Sequence, residues 1–291
     1  MKRAPFLLVL ITICIATPAW AQDPPDTDIY VAELRLSPGS AEMGPATNAT
    51  QRPGYDNQPW FTPDGSGFWY ARWDGVETDV YLYDLDAGTS TQVTRTPWGE
   101  YSPSPADADG GIFAVGGGGD PVQMGLWRYS ASGEPVEPLV IRTVGYYGIV
   151  DEETLFAWLN DGAGTLIHVN RTNGMVTPFR TGVAPGPPRQ IPGEADMSFL
   201  EVNATGQMTL VRLDPETLEV TPIMPAAGNG RDFVWTPDGR VLMGEGNAIF
   251  IRDPNGDDTW TEVARFPELG QITRLAVSAD GERIAFVATS G

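Results

Sequence analysis

The chain repeats itself every 42 to 45 residues around an acidic turn, Asp-Gly in its clearest copies, and that period limits the possible folds more than any other feature. Its clearest copies are Trp60-Phe61-Thr62-Pro63-Asp64-Gly65, Val234-Trp235-Thr236-Pro237-Asp238-Gly239 and Ala276-Val277-Ser278-Ala279-Asp280-Gly281. Each places an apolar or aromatic strand before the turn and a second apolar strand after it. Gly accepts positive φ without steric cost, so Asp-Gly suits a tight hairpin. Aligned on the turn, Asp64, Asp109, Asp151, Glu194, Asp238 and Asp280 are corresponding anchors. In the clearest unit, Pro59 to Thr62, Phe68 to Trp73, Asp79 to Leu85 and Thr89 to Arg95 read as four short strands bounded by Gly, Asp or Pro. A four-stranded unit repeated at this length is a β-propeller blade, and six anchors predict an all-β, six-bladed β-propeller.

The two ends complement each other. After Asp280-Gly281 the chain has room for one more strand, Ile284 to Ala288, and leaves a blade half built. Near the other end, Ile29 to Leu34 reads as the third strand of a blade and Ala41 to Ala49 as a loose fourth. Two strands from each terminus are therefore expected to close the last blade, since an open ring would leave unpaired edges.

Residues 1–21 read as a cleavable export signal rather than as part of the fold. Lys2 and Arg3 precede the apolar run Phe6 to Ala16, which is short for a membrane span, and Pro18-Ala19-Trp20-Ala21 offers a small-residue cleavage site. Cleavage after Ala21 would leave Gln22 to Gly291 as a single propeller domain, periplasmic or extracellular, with no membrane insertion. It would also remove Cys14, the only cysteine, so disulfides, thiol catalysis and thiolate ligands are not expected. The formal net charge of −20 becomes −22 once Lys2 and Arg3 are gone. A surface this acidic repels phosphate backbones and anionic headgroups, which argues against nucleic acid as a partner.

The repeat itself resembles the TolB-like, WD40-like propeller repeats of secreted bacterial proteins. Their pattern runs Pro-x-aromatic-Ser/Thr-Pro-Asp-Gly, then an apolar strand, then Asp-Ile-Tyr-x-x-Asp-Leu, then Leu-Thr. Here it is matched by Pro59-Trp60-Phe61-Thr62-Pro63-Asp64-Gly65, by Asp79-Val80-Tyr81-Leu82-Tyr83-Asp84-Leu85 and by Gln92-Val93-Thr94. The match is good again at Asp238 and Asp280 and faint between about 145 and 225. TolB carries an additional α/β domain before its propeller, for which this length leaves no room. Single-domain relatives of the family carry Glu-Tyr-Ser-Pro and Gly-Tyr-His segments. Glu100-Tyr101-Ser102-Pro103 keeps the first, while Gly145-Tyr146-Tyr147 puts Tyr147 where the resemblance implies a histidine.

Propellers display functional residues where the chain enters the innermost strand of each blade. Reading back five to nine residues from each anchor gives Asn57, Glu100 and Tyr101, Tyr146 and Tyr147, Arg189, Arg231 and Asp232, and Arg274. The narrowed expectation is that Glu100, Asp232 and Arg274 face the central channel, with Asn57 and Tyr147 beside them. An Arg between two carboxylates could hold a polar ligand or simply plug the channel. His168, the sole histidine, lies in the alternation Leu166-Ile167-His168-Val169 and reads as a half-exposed strand residue, so neither a Ser-His-Asp triad nor a His-rich metal site can be assembled. Asp253-Pro254-Asn255-Gly256-Asp257-Asp258 is rich in oxygen donors but lacks the calcium-loop spacing and reads as a hairpin loop. Val115 to Asp120, with four glycines, reads as a flexible connection rather than a phosphate loop.

The expectation for function is a monomeric binding or scaffolding module, without cofactor, that holds a protein or a small polar ligand at the channel. The alternative is a carboxylate-based hydrolase or lyase using Glu100 with Asp232.

Overall fold

The structure, a computed structural model, describes residues 24–106, 110–117, 124–140, 142–203 and 205–290. The expected leader 1–21 with Cys14, the anchor Asp109 and the Gly118–Asp120 part of the glycine run lie outside the described residues. Among the described residues every regular element is a strand, and the strands form six sheets. Five sheets are meanders of four consecutive antiparallel strands, the first being Asp56–Phe61, Gly67–Trp73, Thr78–Asp84 and Thr89–Gln92. The second strands begin at Gly67, Ile112, Thr154, Met197, Val241 and Arg283, three residues after each expected anchor. Six blades at the expected pitch are present.

The sixth blade draws on both ends of the chain. Its strand order is Ser40–Met43, Thr27–Ser37, Arg283–Ser290 and Leu269–Val277. Thr27–Ser37 runs antiparallel to the last strand, with Ile29 opposite Val287 and Val31 opposite Ala285. The expected loose fourth strand, Ala41 to Ala49, divides into Ser40–Met43 and a two-residue piece, Thr47–Asn48, that pairs with Tyr30 and Val31.

Local chemistry accounts for the repeated turn. The Thr62 hydroxyl donates to Asp64 Oδ1 at 2.6 Å, Thr236 does the same to Asp238 at 2.6 Å, and Ser278 to Asp280 at 2.5 Å. The glycine that follows each aspartate sits at positive φ, 70° at Gly65, 84° at Gly239 and 74° at Gly281. Hydrogen bonds from Thr62 and Ser66 hold the Asp64 carboxyl below its ordinary value. The fourth strand of the first blade stops at Gln92 rather than Arg95, because Thr94 turns inward and its Oγ1 accepts the Val80 amide at 2.8 Å. In the faint middle region the fourth blade's inner strand shrinks to Arg189–Gln190. Pro185, Pro187 and Pro188 lie just before it and have no N–H to give a ladder.

The core is divided into six clusters, one between each pair of neighbouring blades. Between the fifth and sixth blades the fully buried Phe286 stacks on Phe266 at 4.9 Å and on Tyr30 at 5.5 Å. Between the first and second the cluster contracts to Trp69, Val80, Ile112, Ala114 and Tyr129. Burying a large apolar side chain contributes about 1.5–3 kcal/mol, so the seams hold the ring while its axis is left to other groups.

Candidate functional site at the channel mouth

Four of the six innermost strands break register at the same level. The slips fall between Asn57 and Trp60, Tyr101 and Ser104, Val144 and Tyr146, and Ile272 and Arg274. A bulge inserts an unpaired residue and re-aims the side chains around it, and bulges gather beside functional sites. At two of these slips a residue other than glycine holds positive φ just before a proline, Gln58 at 57° and Ser102 at 52°. Such conformations cost on the order of 1–3 kcal/mol and persist where the surroundings fix them. Here Asn57 Oδ1 accepts the Gln58 amide at 2.9 Å, and Gln58 Oε1 accepts the Ser102 amide at 2.8 Å. The two bulges are thereby tied to each other across neighbouring blades.

Above the bulges lies a cavity of about 140 Å³. Five of the six blades line it, with Gln58 and Trp60 from the first, Ser102 from the second, Tyr146 from the third, Arg189 from the fourth and Arg274 from the sixth. A wider cavity of about 510 Å³ continues toward the Asp-Gly turns, sharing Trp60 and Arg189 with the first. Arg274 donates from Nη2 to the Tyr146 hydroxyl at 2.5 Å and from Nη1 to Thr273 O at 2.7 Å, its guanidinium 5.3 Å from the Tyr146 ring. Arg189 donates from Nη2 to Leu275 O at 3.1 Å and lies 5.8 Å from the Trp60 ring and 6.0 Å from Phe233. The fifth blade contributes Asp232 from behind. Its Oδ2 accepts the Leu275 amide at 2.8 Å, and its Oδ1 stands 3.8 Å from Arg189.

Electrostatics mark this as a crowded cationic place. Burial pulls the Arg189 guanidinium down from its ordinary value, with Asp232 opposing the drop and Arg274 adding to it. Burial, with help from Tyr146, pushes the Tyr55 hydroxyl up, so it stays protonated.

Comparison with solved structures places this ring among known propellers. It superimposes on a protein assigned as TolB in Agrobacterium tumefaciens with a TM-score of 0.68 at 14% identity, covering 90% of this chain and 98% of that one. The fold is that of a TolB-like propeller. TolB from Acinetobacter baumannii aligns with a TM-score of 0.58 at 13% identity over 92% of this chain, and the match spans 66% of that protein's length. An oligogalacturonate lyase in complex with manganese aligns with a TM-score of 0.55 at 15% identity, covering 84% of this chain and 80% of that one. No protein-family profile matches the chain, and no curated protein matches it at a significant level.

Within this TolB-like ring the five expected residues separate. Arg274 and Tyr147 line the cavity, and Asp232 supports it through Leu275 and Arg189. Asn57 is buried and holds the first bulge. Glu100 does not join Arg274 and Asp232. It turns into the seam between the first and second blades, where the Thr96 hydroxyl donates to it and Tyr129 OH approaches at 3.4 Å. Its backbone amide is held by Thr78 O at 2.6 Å, one residue before the inner strand begins, which ties it to the third strand of the first blade. The tyrosine that meets Arg274 is Tyr146, because the slip at Val144 to Tyr146 moves the strand's alternation by one residue. Tyr147 keeps its ring at the cavity but commits its hydroxyl to the second blade, at 2.8 Å from Ser104 Oγ, 2.8 Å from Ser102 O and 3.0 Å from Phe113 O.

Arg189 and Tyr146 belonged to the broader set that the repeat offsets gave, but Trp60, Gln58 and Ser102 did not. The signal that could have found them is the pair Gln58-Pro59 and Ser102-Pro103, each placing a proline after a polar residue early in an innermost strand. Elsewhere, His168 is half-buried against Phe156, with ring centroids 5.3 Å apart, and burial lowers its pKa. The Asp253 loop closes as a hairpin turn, its Oδ1 accepting the Asn255 amide at 2.8 Å while Asp258 pairs with Arg252 at 2.7 Å.

Proposed function

We propose that this propeller is an exported, monomeric binding module that holds a small polar ligand at the mouth of its central channel. The observation that carries this reading is the cavity itself, where five blades converge on two arginines, one supporting carboxylate and two aromatic rings. A recessed, partly apolar pocket with a few convergent polar groups is the usual form of a small-molecule site. Its size, about 140 Å³, favours a small ligand over a protein segment. Export is supported by the leader pattern of residues 1–21.

Binding is favoured over a carboxylate-pair hydrolase or lyase by the placement of the acids. Asp232 stands at the channel with its Oδ2 engaged by a backbone amide, whereas Glu100 lies in a seam among hydroxyl groups. A pair of acids that divides proton donation and acceptance has to flank one bond.

The test is a thermal-shift screen of small polar compounds against the mature protein beside its Arg274→Ala variant. A compound that stabilises the first and not the second is the expected result. Strong destabilisation of the variant with no response of either protein to any compound would make Arg274 a structural plug and overturn the reading. Mass spectrometry of the exported product should find Gln22 at its N-terminus, and a chain beginning at Met1 would remove the export part.

A further inference from the structure

At the channel mouth donors outnumber acceptors. Each guanidinium carries five N–H donors, accepts nothing and stays charged. Among the described residues Arg189 makes one hydrogen bond and Arg274 two. The Nε of each is buried with no partner, and so is the Ser102 hydroxyl on the facing wall. The Asp232 Oδ1, at 3.8 Å from Arg189, is beyond hydrogen-bond distance, and Oδ2 is spent on Leu275. Glu100, the carboxylate that could have balanced the second arginine, is in the seam instead. Two cations against one anion leave a single positive charge in a chain whose formal net charge is −20. A partner suited to this surplus brings acceptor oxygens and one negative charge.

The walls set the rest of the ligand. A cavity of about 150 Å³ holds one benzene ring. This one, of about 140 Å³, opens past Trp60 and Arg189 into the wider cavity of about 510 Å³. A single ring with one carboxylate therefore has room, and a much larger ligand does not fit the arginine end. Beside the neutral polar groups of Gln58, Ser102 and Ser104, the cavity's sides carry flat apolar surfaces, with Trp60, Tyr146, Pro59 and Pro103 among them. Among the described residues Trp60 is the one aromatic side chain that is exposed, at 37% of its free area. Both guanidiniums lie over ring faces, Arg189 near Trp60 and Arg274 near Tyr146. That arrangement holds their planes in place and favours a planar two-oxygen acceptor.

We propose that the channel mouth binds a small monocarboxylate built on a single flat ring, with the carboxylate between Arg189 and Arg274 and the ring against Trp60. This rests on the binding reading above and narrows it to a ligand class. The experiment is isothermal titration of the mature protein with benzoate, benzamide, benzylamine, phenyl phosphate and acetate. Benzoate should bind at least tenfold more tightly than its neutral and cationic counterparts and than acetate, which lacks the ring. Arg189→Gln and Arg274→Gln should each weaken benzoate at least tenfold, and Trp60→Ala should erase its advantage over acetate. Equal binding of benzamide and benzoate, tighter binding of phenyl phosphate, or no binding of benzoate would overturn the proposal. The comparison within the unmodified protein decides the matter even if an arginine variant fails to fold. A neutral compound that stabilises the protein and loses its effect in Trp60→Ala would sink the carboxylate and leave the binding module standing. Silence from every compound in both assays would sink both.

Discussion

The seam between the fifth and sixth blades and the seam between the first and second solve the same packing problem with opposite materials. The former is apolar throughout its cluster, centred on a fully buried Phe286 between Phe266 and Tyr30. The latter has a short apolar cluster and beside it Glu100, a carboxyl with no exposed surface. Burial pushes the Glu100 carboxyl up to about 7, although hydroxyls of Thr96, Thr94 and Tyr129 pull the other way and Asp79 adds to the rise. Its Oε2 has no partner. The difference follows from connectivity. Both pairs of blades are joined by short runs, 93–100 and 266–268, but the first and second blades are each built from consecutive strands and recruit none from a distance. The sixth blade must recruit Thr27–Ser37 from the far end of the chain, and only strong, register-specific apolar pairing offsets that entropy.

The largest effect should come from removing the recruited strands altogether. Deleting residues 22–50 takes away the third and fourth strands of the sixth blade, and denaturant unfolding followed by tryptophan fluorescence should lose its single cooperative transition. A truncated chain that still unfolds sharply would show that the apolar seam does not hold the ring closed. Next in size is Phe286→Ala, expected to cost about 3–5 kcal/mol in the same measurement, as for other large buried rings.

Glu100→Gln sharpens the contrast through pH. The folded carboxyl is raised from its ordinary value of 4.5 to about 7, so the protein favours its neutral form. The stability linked to it is fully present below pH 4.5 and is lost as pH rises through 7. The neutral amide does not titrate. The variant should therefore match the parent near pH 4 and exceed it by about 3 kcal/mol near pH 8, judged from paired unfolding curves. A constant difference across that range would mean that Glu100 does not titrate in the seam. The smallest effect belongs to Tyr129→Phe, which removes one neutral donor and should cost about 1 kcal/mol. Because that hydroxyl lowers the Glu100 pKa, its loss should also move the Glu100 midpoint upward, readable as a displaced pH dependence of stability.

The same contrast explains what could be read in the residues and what could not. Blade number, pitch and closure were legible because they depend on an acidic turn, Asp-Gly at four of its six copies, and on period-two apolar strands, which are local chemistry repeated around the ring. The channel mouth was legible only in part. Arg274 and Asp232 lie near the axis as their offsets from the anchors indicate. Tyr146 displaces Tyr147 as the partner of Arg274 because a bulge shifts the strand by one residue, and no simple alternation contains that shift. Trp60 was read as part of the repeat's apolar strand, since nothing in its neighbours tells a ring facing a seam from one facing a channel. Glu100 was placed by its offset, but its backbone bond to Thr78 O ties it to the first blade and the hydroxyls around it hold its side chain in the seam.

The pairing of Thr27 with Thr289 has a consequence for how the chain comes into being. At about 5–20 residues per second, a ribosome needs roughly 13–52 s between adding Thr27 and adding Thr289. Throughout that time Thr27–Ser37 can pair with Ser40–Met43, Leu34 lying opposite Met43, and with Thr47–Asn48, Tyr30 lying opposite Asn48, and these pieces cover one of its two edges. The edge meant for Arg283–Ser290 stays open, carrying Ile29, Val31 and Leu34 on a strand ready to pair with any neighbouring chain. A holding chaperone or a narrow translocation pore that keeps residues 27–37 extended would protect that edge until residue 290 arrives, and crowded, unassisted synthesis would expose it to aggregation.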